Sequence, residues 1–302
     1  MSINIKDEIL KLKEERNAII LAHYYVNDEL QEIADYVGDS YFLSKVGRES
    51  NADIIVFCGV KFMAESAKIL SPNKRVFLPS EKALCGMALM AKKDSIEKIK
   101  EEHPKAKVVC YVNSSSEVKA VSDVCCTSSS ALNIVKNIES DEIIFVPDRN
   151  LGSYVQEQLP YKKVILWDGC CHIHDRVTKE QVLAAKEKYG NDVKVLVHPE
   201  CRKEVRDLAD FIGSTGGMIK YVSSQKTDKF LVVTDIGILY KLKEENPNKK
   251  FFTLDMACPS MKIMTLEDVY VCLRDLKNEI FVDEEVQKEA YKALNNMHRL
   301  NK

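Results

Sequence analysis

Three stretches decide how this chain folds: KRVFLPSEKALC at 74–85, KKVILWDGCC at 162–171 and KKFFTLDMAC at 249–258. Each opens on lysine, passes through a short apolar run of strand length and closes on a cysteine. The closing residues, Cys85, Cys171 and Cys258, stand 86 and 87 positions apart (171 − 85 and 258 − 171). A unit copied three times, each copy ending in a thiol, is most simply arranged about a pseudo-threefold axis on which the sulfurs converge. A self-similar period is the first thing to establish, because it dictates the architecture.

Other landmarks keep the period. Short apolar runs at 18–23 (AIILAH), 108–113 (VVCYVN) and 193–198 (VKVLVH) end in His23, Asn113 and His198. Small polar turns come next: GDS at 38–40, CTSSS at 126–130 and GSTGG at 213–217. The spacing from strand end to turn residue reads 17, 15 and 17 (40 − 23, 128 − 113, 215 − 198). Middle strands also correspond: DIIVFCGVKFM, EIIFVPDRNLG and KFLVVTDIGIL. Apolar strands without alternation, interleaved with helical stretches, indicate α/β units whose parallel sheets are covered on both faces. The expected fold is α/β: three similar three-layer α/β/α domains at 1–105, 106–192 and 193–302. Helices are expected at 4–16 and 87–101, and a last one, Glu284–Leu300, beside the first.

Composition narrows the function. The 302 residues carry 44 basic and 46 acidic side chains, a net charge of −2. Both signs are interspersed, with no basic stripe for nucleic acid. No apolar run reaches the roughly 18 residues that suggest a membrane helix, and the charged amphipathic start lacks a signal peptide's apolar core. The expected location is the cytoplasm. In that reducing compartment ten cysteines do not read as a disulfide framework. No CxxC pair occurs; Cys58, Cys110, Cys201 and Cys272 lie in or beside apolar runs and read as core.

Ligands of parallel sheets bind at the carboxyl ends of the strands. Those ends carry His23-Tyr24-Tyr25, Tyr111-Val112-Asn113 and His198-Pro199-Glu200. Ser40, Ser128 and Thr215 sit where helices are expected to begin. Singly each is an ordinary cap; together they suggest a pocket for a substrate with several carboxylate or phosphate groups. The glycine-rich 213–217 lacks the endings of a P-loop or a dinucleotide fingerprint. Three thiolates without a fourth protein ligand suit a [4Fe–4S] cluster with one iron left open to substrate as a Lewis acid. At the second site the thiol lies seven residues from the strand landmark if it is Cys171 (171 − 164), as for Cys258 (258 − 251), and six if it is Cys170. The first copy, with nine (85 − 76), holds a small insertion. Zinc stays open through His172 and His174, although the other copies have no matching histidine. Glu200 is the candidate base, with Tyr25 and His198 as proton partners and Tyr111 and Asn113 orienting substrate.

The segments LAHYY (21–25), GDS (38–40), YVN (111–113), CTSSSA (126–131), HPE (198–200), GSTGGMI (213–219) and MACPSM (256–261) resemble the quinolinate synthase family over nearly the whole chain. The resemblance implies a triangle of three α/β domains with a central [4Fe–4S] cluster on Cys85, Cys171 and Cys258. It implies condensation of iminosuccinate with dihydroxyacetone phosphate to quinolinate, the pyridine precursor of NAD, with loss of phosphate and two waters. It also implies a dicarboxylate pocket of His23, Ser40, Tyr111, Asn113, Ser128, His198, Glu200 and Thr215, with Tyr25 and Glu200 in proton transfer and possible coupling to the enzyme that makes iminosuccinate. Cys170 departs from the family's usual aromatic or small residue, and Pro259-Ser260-Met261 after Cys258 leaves no thiol switch there. Competing readings are another [4Fe–4S] hydro-lyase of aconitase-like chemistry and a non-enzymatic iron–sulfur sensor.

Overall fold

The computed structural model describes residues 4–190 and 192–301. It contains three four-stranded, wholly parallel sheets. The first is built from β1 (Ala18–His23), β2 (Tyr36–Gly38), β3 (Ile54–Cys58) and β4 (Arg75–Phe77). The second has β5 (Lys107–Tyr111), β6 (Val124–Cys126), β7 (Glu142–Val146) and β8 (Lys163–Leu166). The third has β9 (Lys194–Val197), β10 (Phe211–Ile212), β11 (Lys229–Val233) and β12 (Lys250–Thr253). Each sheet has the spatial order second–first–third–fourth strand, so the winding direction reverses between its first and third strands. The central strand β3 is apolar throughout, and β7 is apolar after Glu142, because helices cover both faces, whereas the edge strands β8 and β12 are half-exposed.

The register sharpens the repeat. Ala22 pairs with Cys58, Cys110 with Val146 and Val197 with Val233, so the next residues along, His23, Tyr111 and His198, are equivalent. Tyr111, not Asn113, is therefore the counterpart of the two histidines. The strand-to-turn spacing becomes 17 in every copy (40 − 23, 128 − 111, 215 − 198). The sequence reading slipped because Asn113 is the more polar residue; it stands level with Tyr25 and Glu200.

Two further repeats explain residues that otherwise look incidental. The opening lysines of the three quoted stretches fold back onto the carboxyl end of an earlier helix. Lys74 Nζ donates to Gly47 O (2.8 Å) and Ser50 O, Lys162 to Ile138 O (3.0 Å) and Ser140 O (2.7 Å), and Lys249 to Val222 O and Gln225 O (2.8 Å). A cation there satisfies carbonyls without helical partners and complements the helix dipole. Asp35, Asp123 and Asp210 each accept, at 2.8 Å, the N–H of Ile20, Val108 or Val195 in the first strand of their own sheet.

Several local expectations need correction. Residues 87–101 are not one helix: a 3-10 turn at Met87–Leu89 precedes a helix at Lys93–Glu102. Ser40 and Thr215 do not cap their helices; Asp39 and Ser214, one residue earlier, do so. Ser128 lies in the turn before the helix at Ala131–Asn137. The last helix, Glu284–Leu300, lies over the helices at Lys61–Leu70 and Ser116–Ala120 and over β6, while the first, Ile5–Glu15, packs on Leu266–Asp275. The last helix thus ties the first sheet unit to the second. Its apolar positions, including Ala290, Leu294 and Met297, find a buried surface there. Gly237 brings the third unit against the first: a Cβ at this position would meet Tyr25 Cα at 2.6 Å and Tyr24 O at 2.7 Å.

Candidate functional site

The carboxyl ends of all three sheets meet at one cavity of about 80 Å³. Every residue singled out for chemistry lines it: His23, Tyr25, Ser40, Tyr111, Asn113, Ser128, His198, Glu200 and Thr215, with Cys85, Cys171 and Cys258. Val60, Phe62 and Met63 form an apolar part of the wall. Parallel sheets place strand-end residues in this way at the point where winding reverses.

Backbone hydrogen bonds settle the alignment of the cysteines. The N–H groups of Lys61, Arg149 and Ile236 donate to the carbonyls of Ala83, Gly169 and Met256, each two residues before its thiol. Cys171 is thus the partner of Cys85 and Cys258, and Cys170 lies outside the set, its N–H turned to Met90 Sδ at 3.4 Å. The three thiols are partly buried and free of disulfides, whereas Cys58, Cys110, Cys201 and Cys272 are buried as expected, with Cys125 and Cys126. Burial pushes Cys85 up to about 12, with the charges of Glu200 and Cys258 adding to the rise. Burial likewise raises Cys171, helped by Glu200, and Cys258, helped by Asp235 and Glu200.

Glu200 is buried at 3% exposure. Burial would raise its carboxyl, but bonds from His174 Nδ1, and from Tyr111 Oη to Oε1 at 2.5 Å, hold it below its ordinary range. His174 Nδ1 lies 2.8 Å from Oε2 and 3.3 Å from Cys171 Sγ. An ionised carboxylate only accepts, and this sets the direction of each neighbouring bond. In the tautomer that donates from Nδ1 alone, His174 accepts at Nε2 from Thr234 Oγ1 at 2.9 Å. Thr234, with one proton to give, accepts from Tyr25 Oη at 2.7 Å, and Tyr25 accepts from Thr215 Oγ1 at 2.6 Å. A continuous, one-way chain of donors therefore joins Thr215 and Tyr25 to Glu200. Tyr25 is pushed up by burial, against its bonds to Thr215 and Thr234, so it stays a phenol at neutral pH.

His23 and His198 are twins. Nδ1 of each accepts the N–H two residues on, from Tyr25 at 3.2 Å and Glu200 at 3.4 Å. Burial lowers both to about 3, against the pull of Glu200. Each ring is thus neutral with its proton on Nε2, a donor left to the cavity. Sequence reading gave His174 only as a zinc alternative and missed Thr234 altogether. The VPD (146–148) and VTD (233–235) endings of the aligned middle strands were the signal that could have found the latter. Cys171, His174 and Glu200 also form a compact group whose ligand atoms lie within 4.8 Å of one another and could hold a metal ion.

Three parallel-sheet units that pool imidazoles, hydroxyls, a buried carboxylate and three thiols in one cavity define an α/β enzyme class with a site for a small-molecule substrate and side chains that could hold a metal. The sequence model of the family described as Quinolinate synthetase A protein matches residues 7–299. The chain is similar to the quinolinate synthase of Clostridium novyi (strain NT), 57% identical with 99% of this chain and 100% of that protein covered. It is similar to that of Clostridium perfringens (strain 13 / Type A), at 55% with 99% of both covered. The quinolinate synthase of Caldicellulosiruptor saccharolyticus is 52% identical, with 98% of both covered. The chain belongs to the quinolinate synthase family. No helix among the described residues is long and apolar enough to cross a membrane.

Proposed function

We propose that the chain condenses iminosuccinate with dihydroxyacetone phosphate to give quinolinate, phosphate and two waters, the step that makes the pyridine ring for NAD. One observation carries the reading: a single cavity gathers the equivalent strand ends of three sheets, and with them three equivalent thiols. The three units, divided at 105/106 and 192/193, contribute one thiol each.

The donor set fits a [4Fe–4S] cluster on Cys85, Cys171 and Cys258. The three sulfurs are unpaired, the cavity offers no fourth thiol, and the negative charge of Glu200 on all three favours a cationic group among them. When bound, the cluster supplies a Lewis-acidic iron that assists loss of water. The chain's own groups do the rest. His23 and His198 donate from Nε2 to substrate carboxylates, with Ser40, Ser128, Thr215, Tyr111 and Asn113 as further polar partners. Glu200 takes up a proton passed to it from Tyr25 through Thr234 and His174, and returns it to substrate. Val60, Phe62 and Met63 keep water from the imine.

A metal on Cys171, His174 and Glu200 is the second reading, favoured by their compact grouping. Against it, both nitrogens of His174 already have protein partners, and the repeat supplies no counterpart. Free thiols suit a reducing compartment, the cytoplasm, and a hydrolysable imine favours close coupling to the enzyme that supplies it. The test is anaerobic purification with iron, sulfide and zinc counts and a quinolinate assay. Iron and sulfide with substrate-dependent quinolinate support the proposal. Zinc without sulfide selects the second reading, and full activity without metal removes both.

A further inference from the structure

Two carboxylates repeat at one position in two of the three units. Asp148 and Asp235 each lie two residues beyond a central strand, after Val146 of β7 and Val233 of β11. Both are almost fully buried. One oxygen of each serves its own loop: Asp148 Oδ1 accepts from Leu151 N at 2.7 Å, and Asp235 Oδ1 from Gly237 N at 2.8 Å. The other oxygen reaches the thiol loop: Asp148 Oδ2 accepts from Cys171 N at 2.9 Å, and Asp235 Oδ2 from Cys258 N at 2.6 Å. The equivalent residue in the first unit, two past Cys58, is Val60. There the N–H of Cys85 finds no hydrogen-bond partner among the described residues, and the loop is two residues longer.

We propose that Asp148 and Asp235 are positioning residues for the metal group, each clamping the backbone of a cysteine ligand so that its sulfur is held toward the cavity, while Cys85 is the unclamped corner. The inference rests on Cys171 and Cys258 being ligands. A charge-assisted bond to a backbone N–H is stronger than a neutral one, and one carboxylate that bridges two loops fixes their separation. Partners that orient ligands without touching the metal typically change metal affinity by about 10–100-fold when removed.

The test compares the full chain with Asp148→Ala, Asp235→Ala, Asp148→Asn and Asp235→Asn after anaerobic reconstitution, measuring iron, sulfide and the rate of iron release to a ferrous chelator. The alanine variants should release iron about 10–100-fold faster. The asparagine variants should fall between, because an amide has one acceptor for two N–H donors. Thr178→Ala removes the capping box of the helix Lys179–Tyr189 without altering either aspartate or its hydrogen bonds, and should lower the metal-free melting temperature while iron leaves at the parental rate. Asparagine variants that hold iron as the parent does overturn the proposal, as do folded alanine variants that do so. A parent chain that takes up no iron and sulfide overturns the ligand reading itself, and this inference with it.

Discussion

His174 Nδ1 and Glu200 Oε2 meet at 2.8 Å, both residues buried, and this contact orders every proton in the hydrogen-bonded chain that ends at Thr215. His174 follows the last strand of the second sheet and Glu200 follows the first strand of the third, so the chain of bonds joins segments from different sheets. Its central link is Thr234, which holds His174 on one side and Tyr25 of the first unit on the other.

Thr234→Val keeps the shape of that link and deletes its hydrogen bonds. We expect kcat to fall by about 10²-fold or more with a small change in KM, since the path between Tyr25 and Glu200 is cut. Stability should drop by about 1–3 kcal/mol, because a buried phenol and imidazole nitrogen lose a partner. Steady-state kinetics and denaturant melts check both; unchanged kcat would remove the chain from the mechanism.

Glu200→Gln retains the volume and removes the charge. Iron and sulfide should stay at parental levels while kcat falls about 10²–10⁴-fold. Retained turnover would take Glu200 out of proton transfer.

Cys171→Ser should abolish the visible iron–sulfur absorbance of anaerobically reconstituted protein, and Cys170→Ser should leave it intact. The opposite pair of results would contradict the alignment set by the Arg149-to-Gly169 hydrogen bond.

His23 and His198 make the fold sensitive to acid. Burial holds both at about 3; Glu200 opposes this, Lys262 adds to the lowering at His23, and His174 and His23 add to it at His198. The unfolded chain, with histidines near 6.5, binds more protons between those values, so stability is present above about 6.5 and declines as pH falls. From pH 7 to 5.5 the pair should cost about 2.5 kcal/mol. Denaturant midpoints at the two pH values measure this, and His23→Asn should halve the slope. A flat profile would mean that the two histidines titrate in the folded protein as they do in the unfolded chain.

Lys162→Met removes the cation from the carbonyls of Ile138 and Ser140. A loss of about 2–3 kcal/mol in unfolding free energy is expected, with iron content unchanged. A variant as stable as the parent would show that water replaces the lysine there.

Much of the site was legible because it obeys the repeat. His23 and His198, like Ser40 and Thr215, recur two periods apart (198 − 23 and 215 − 40, both 175), Cys171 and Cys258 recur one period apart (258 − 171 = 87), and strand ends in parallel sheets face one side. The misses have physical causes. Asn113 drew attention through its polarity, whereas equivalence is set by the ladder that pairs Cys110 with Val146. Thr234, Asp148 and Asp235 stood in the aligned strands, but nothing local distinguishes a threonine that bridges two sheets from one that packs.

The amino-acid order by itself determined the threefold α/β plan, the trio of thiols and the polar strand ends, because periodicity and apolar runs are properties of a single chain. Only the tertiary structure decided which groups touch. Tyr25, His174 and Thr234 follow strands β1, β8 and β11 of three different sheets, and the last helix bridges the first two sheets rather than joining the first helix. Those contacts depend on how buried surfaces of separate sheets fit together, which no local stretch encodes.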